Sequence, residues 1–98
     1  MLLDATYGQK RNSLTMLQNI ARNDRIAVTE CVDKYGNLIW ALAKKFTDSK
    51  EEASLATQEI FTDIWQYAGR FDADKIEERV FITLIARRHL RKRATTAR

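Results

Sequence analysis

Ser49-Lys50-Glu51-Glu52-Ala53-Ser54-Leu55-Ala56-Thr57-Gln58-Glu59-Ile60-Phe61-Thr62-Asp63-Ile64-Trp65 is the stretch that decides the fold. Ala53, Ala56, Thr57, Ile60, Phe61, Ile64, Trp65 and, just beyond, Ala68 recur at steps of three and four, the period of a helix with one buried face. Ser49 followed by Glu52 is a capping box, in which serine and glutamate each satisfy one free amide of the first turn. Gly69 is expected to stop the helix in a left-handed conformation. Leu55, Gln58, Glu59, Thr62, Asp63 and Gln66 are left facing outward.

The same period extends in both directions. Upstream, Val28, Cys31, Val32, Tyr35, Ile39, Leu42, Ala43 and Phe46 predict a second helix over residues 25–46, with Gly36 as a weak point or bend. Asn23-Asp24 breaks the chain before it, and Ser13 is expected to cap a short first helix with Leu14, Leu17 and Ala21 on one face. Downstream, Asp74 with Glu77 reads as another capping box, starting a helix that buries Ile76, Val80, Phe81, Leu84 and Ile85. No alternating apolar run argues for a strand, and proline is absent. The fold class predicted is all-α, a compact bundle of about four helices. Residues 13–94 form its domain, residues 1–12 a flexible N-terminal arm, and residues 95–98 the start of a linker or tail.

With 98 residues there is room for one domain and one modest core. The chain is 45% hydrophobic and 31% charged, a globular profile without a run long enough to span a membrane. Its first residues do not read as a secretory signal, so a cytoplasmic address is expected. A single cysteine and a single histidine supply neither a disulfide nor a ligand set for zinc. Cys31 falls where the period wants an apolar side chain and reads as a small buried hydrophobe. His89 reads as a solvated residue at a helix end, and the acidic pairs Glu51-Glu52 and Glu77-Glu78 as charges favoured by helix N-termini. No nucleophile, base and orienting group converge, so no catalytic residue, metal or cofactor is assigned.

Charge distribution says more than the net +4. Residues 87–98 hold six cations and no acid, which leaves the first 86 residues with a net −2. Arg87, Arg88 and Arg91 share one helical face, with Lys92 and Arg93 alongside, a patch suited to phosphate backbones through counterion release. The preceding loop, Arg70-Phe71-Asp72-Ala73-Asp74-Lys75, adds an aromatic and two cations, ingredients for holding an unstacked base. Phe71 has a second reading as the hydrophobic tuck that seals the end of the helix before it.

Four motifs together, in this order and spacing, are specific: Val32-Asp33-Lys34-Tyr35-Gly36 with Leu38-Ile39-Trp40, Thr57-Gln58-Glu59-Ile60-Phe61 with Trp65, Arg70-Phe71-Asp72, and Phe81 with Ile85-Ala86-Arg87-Arg88. Over residues 20–93 the chain resembles region 2 of the sigma-70 family of RNA polymerase sigma factors, in particular the extracytoplasmic-function group. The resemblance implies a non-enzymatic transcription-initiation module that binds core RNA polymerase and recognises and melts the promoter minus-ten element. Gln58 and Glu59 match the family's glutamine-glutamate pair, which docks on the clamp helices of the largest catalytic subunit, with Leu55, Thr62 and Asp63 as exposed neighbours. Arg70, Phe71, Ala73 and Lys75 fall on the base-pocket loop. Arg79, Arg87, Arg88, Arg91, Lys92 and Arg93 fall on the helix facing the non-template strand of promoter DNA. An anti-sigma factor is a further implied partner.

The chain departs from the family at Leu55 and Lys92, where aspartates are usual. Leu55 is consistent with a drier docking contact or with a misaligned position; Lys92 adds positive charge near DNA. The family's second domain, a helix-turn-helix for the minus-thirty-five element, does not fit in this length, so the chain reads as an excised domain, with a naturally solitary region 2 as the alternative. The residues alone leave a different class open: a basic helical protein-interaction module that binds an acidic regulatory partner without reading DNA.

Overall fold

The structure is a computed structural model that describes residues 14–96, in which four α-helices occur and no strand. They are α1 (Met16–Ala21), α2 (Arg25–Lys45), α3 (Lys50–Tyr67) and α4 (Glu78–Thr96), with a 3-10 turn, Ala68–Arg70, closing α3. The expected all-α bundle is the observed architecture. Ser13 and the expected arm over residues 1–12 lie outside the described residues.

Local chemistry sets the helix starts. Thr15 caps α1 with a complete capping box: its hydroxyl accepts from the Gln18 amide at 3.0 Å, and the Gln18 side chain accepts from the Thr15 amide at 2.9 Å. Asp24 caps α2 by accepting from the Ile26 amide. Between them Asn23 sits at φ 67°, the left-handed conformation that asparagine tolerates better than most residues. Ser49 caps α3 as the sequence predicts, accepting from the Glu52 amide at 3.1 Å, but the Glu52 carboxylate turns to the Asp48 amide instead of closing the box on Ser49.

Two termini differ from expectation. No glycine among the described residues has positive φ, so Gly69 does not end α3 in a left-handed turn. The helix tightens into the 3-10 turn instead, and the Phe71 amide donates to the Ala68 carbonyl. The Asp74–Glu77 capping box does not form. Asp72 organises the turn: its carboxylate accepts from the Asp74 amide, and its carbonyl from the amides of Lys75 and Ile76. This moves the start of α4 to Glu78, where the Glu77 carbonyl accepts from the Phe81 amide.

The core is one cluster built from rows of residues four apart. Ala27, Cys31, Tyr35, Ile39 and Ala43 line α2; Ala56, Ile60, Ile64 and Ala68 continue along α3, with Ala53 and Phe61 buried beside that row; Ile82, Ala86 and Leu90 line α4; Leu17 and Ile20 come from α1 and Phe71 from the loop. A strict four-residue row advances around the helix by about 40° per step, so the buried stripe winds and leaves apolar flanks uncovered. Val32 on α2, Phe46 at its C-cap, and Val80 and Leu84 on α4 are therefore exposed instead of buried. On α4 the buried face is centred on Ile82 and Ala86, and it continues through Leu90 into the basic end, where no apolar stripe was expected. Beyond its chain neighbours and its own helix backbone, Gly36 has no heavy atom within 4 Å of where a Cβ would sit, and α2 runs unbroken through it.

Candidate nucleic-acid and docking interface

The loop and both ends of α4 are anchored before any ligand is considered. Phe71 is 6% exposed, its ring 5.2 Å from that of Phe81, so it takes the inward of its two readings and fixes the loop to α4. At the start of α4, Glu78 accepts from the Tyr35 hydroxyl at 2.6 Å and from Lys34 at 3.1 Å, tying the helix to α2. Burial and the neighbouring Glu78 carboxylate hold the Tyr35 phenol above its ordinary range.

The far end of α4 lies against α3 through a polar bridge. Glu59 and Asp63, one turn apart on α3, meet His89 and Arg93, one turn apart on α4. His89 Nδ1 is 2.9 Å from Asp63 Oδ2, its Nε2 is 3.0 Å from Glu59 Oε1, and Arg93 donates to that same Glu59 oxygen at 2.8 Å. Ionised carboxylates only accept, so the imidazolium form donates to both while a neutral ring donates to one. His89 is thus a bridge between helices, not the solvated end residue expected from its basic surroundings. The cause is the pair of acids on α3, invisible until the two helices are laid side by side.

Between the bridge and the loop, α3 and α4 enclose an open cleft of about 400 Å³. Tyr67 lines it together with two arginines: the Arg70 guanidinium lies 5.2 Å from the ring centroid and that of Arg88 5.5 Å, and Arg88 also donates weakly to the tyrosine hydroxyl at 3.4 Å. Gln66 and Lys92 add polar groups to the lining; Phe81, Leu84 and Ile85 add apolar surface. An aromatic ring overlaid by two guanidinium planes, with apolar walls beside it, offers stacking surface and positive charge to a planar base attached to a phosphate backbone.

The structure sorts the sequence-predicted residues into groups. Arg70 and Arg88 converge on Tyr67, while Glu59, Asp63 and Arg93 converge on the bridge. Arg87, Arg91 and Lys92 are exposed along α4; Ala73 and Lys75 are exposed in the loop. Arg79 stands apart, near Tyr35 and Glu78 at the first turn of α4. Leu55, 52% exposed, with Gln58 and Thr62, forms an outward strip on α3. Sequence reasoning missed Tyr67 and the role of His89. Tyr67 carried one signal, an aromatic three residues before an arginine at a helix end.

A family profile described as Sigma-70 region 2 matches residues 31–98. The chain belongs to the sigma-70 region 2 family. The match covers α2 from Cys31 onward, α3, the loop and α4, and so includes the elements that build the cleft and the bridge. No curated protein and no solved structure matches the chain. Membership of the region 2 family, a family of non-enzymatic transcription-factor domains, gives this chain a sigma-factor role in transcription initiation. Among the described residues of this region 2 domain, no helix is long and apolar enough to cross a membrane.

Proposed function

We propose that this domain serves an extracytoplasmic-function type sigma factor in the cytoplasm, docking on core RNA polymerase through α3 and capturing the opened minus-ten element through the loop and α4. The observation that carries this reading is the cleft at Tyr67, flanked by Arg70 and Arg88 and continuous with the exposed cations of α4. Arg87, Arg91 and Lys92 meet phosphates first, in a salt-sensitive step. A base from the non-template strand then enters the cleft and stacks on Tyr67 in place of one of the guanidinium groups over the ring, which offsets an unstacking cost of a few kcal/mol. Phe71 acts from inside, by holding the loop of Ala73 and Lys75 at the cleft's edge. Leu55, Gln58 and Thr62 offer the docking strip to the clamp helices, and the same strip suits an anti-sigma factor that blocks docking.

Binding of single-stranded oligonucleotides carrying candidate minus-ten sequences, measured across a salt series, tests the reading. Tyr67→Ala should weaken the preferred sequence by about 5- to 100-fold, the range of one lost base stack. Affinity that ignores sequence and is unchanged in Tyr67→Ala would remove the cleft as a base site. Gln58→Ala with Leu55→Ala should weaken capture of a clamp-helix fragment with helical content intact; unchanged capture would remove α3 as the docking face.

A further inference from the structure

The bridge between α3 and α4 joins a residue assigned to docking with residues of the basic end. Glu59 Oε1 receives both His89 Nε2 at 3.0 Å and Arg93 Nη1 at 2.8 Å, and Asp63 takes the other ring nitrogen at 2.9 Å. The Glu59 side chain remains 50% exposed, so an outside partner can reach it, while those of His89 and Arg93 are only 19% and 25% exposed. A carboxylate and a phosphate ask the same thing of a guanidinium, two in-plane acceptors.

We propose that Glu59 is an internal competitor for phosphate, an autoinhibitory contact that holds Arg93 and His89 away from DNA until a docking partner draws the carboxylate off. This rests on the reading of α3 as a docking helix and α4 as a DNA helix, and it adds a coupling between them. Whatever binds Glu59 frees two donors for the strand, and by linkage whatever engages Arg93 leaves Glu59 more available for docking. The pair is half solvated, so the contact is weak enough to exchange.

The 98-residue chain itself serves for the test, with a mixed-sequence DNA duplex as the probe. Glu59→Gln should tighten duplex binding by about two- to fivefold at 0.1 M salt, the worth of one surface ion pair, and steepen the salt slope by about one contact. Glu51→Gln is the charge-matched control. It lies two turns away on the same helix, roughly 12 Å, beyond the screening length of about 10 Å, and should change binding by less than about 1.5-fold. Equal shifts in the two variants would overturn the competitor role while leaving DNA binding in place. Failure of the wild type and both variants to bind duplex would overturn the competitor and the DNA reading together. A difference between the variants with no preference among minus-ten oligonucleotides would support the competitor and remove base reading.

Discussion

The α2–α3 seam and the α3–α4 seam share one helix, yet they are built from different materials. Toward the core that it shares with α2, α3 turns small and branched apolar residues, Ala53, Ala56, Ile60 and Ile64, all fully buried with no polar partner to choose. Against the basic end of α4 it offers Glu59, Asp63 and Tyr67, each satisfied by a directed contact to a charged or titratable side chain. Burial of apolar surface is non-directional and cannot be exchanged for an outside partner without unfolding. A half-exposed ion pair can be. The difference assigns permanence to one side of α3 and exchange to the other.

The largest expected effect breaks the permanent seam. Ile60→Ala should cost about 2 to 5 kcal/mol in denaturant unfolding, because Ile60 is wholly buried in a close-packed row; a cost below about 1 kcal/mol would mean that the seam is loosely packed. Cys31 in the same core gives a pH test. Burial pushes its thiol up to about 12 from an ordinary 9.0. The unfolded chain therefore ionises first, and the stability present below pH 9 drains away as pH rises toward 12. Cys31→Ala should flatten that alkaline loss in thermal melts, leaving the part due to Tyr35, whose phenol shifts the same way.

Gly36→Ala sharpens the comparison from the other direction. The site is open and inside a regular helix, so the change should stabilise by about 0.5 to 1 kcal/mol, read as a raised melting temperature; destabilisation would mean that α2 needs its flexibility there. The smallest effect belongs to the exchangeable seam: Glu59→Gln should cost about 0.2 to 1 kcal/mol of stability. A loss as large as that of Ile60→Ala would make the bridge structural and erase the contrast between the two faces of α3.

Helix number and fold class were legible because apolar period and cap residues state them locally. The Ser49 hydroxyl cap, the buried Cys31 and the α3 stripe followed from spacing alone. What failed needed information from across the molecule. Val32, Phe46, Val80 and Leu84 fit a three-four pattern, but in so small a bundle only part of each such stripe finds a partner. Leu90, lone among arginines, was the overlooked mark of where the α4 row continues. At the candidate site the cations were evident from composition, whereas Tyr67 and His89 acquire meaning only when α3 and α4 lie together. Phe71 shows the limit from the other side: the local sequence favoured the inward tuck without excluding the base-holding role, and contact with Phe81 chose the tuck.

Glu78, tied to Tyr35 and Lys34, and His89, tied to Asp63 and Glu59, act on α4 as two fixings act on a beam. The span between them is eleven residues, roughly 16 Å of helix. A rod clamped near both supports resists rolling about its long axis, so a nucleotide pulled across its middle meets Arg88 at a fixed angle. Loosening the distal clamp alone would free the tip to swing while the proximal end stayed put, turning a rigid bar into a lever.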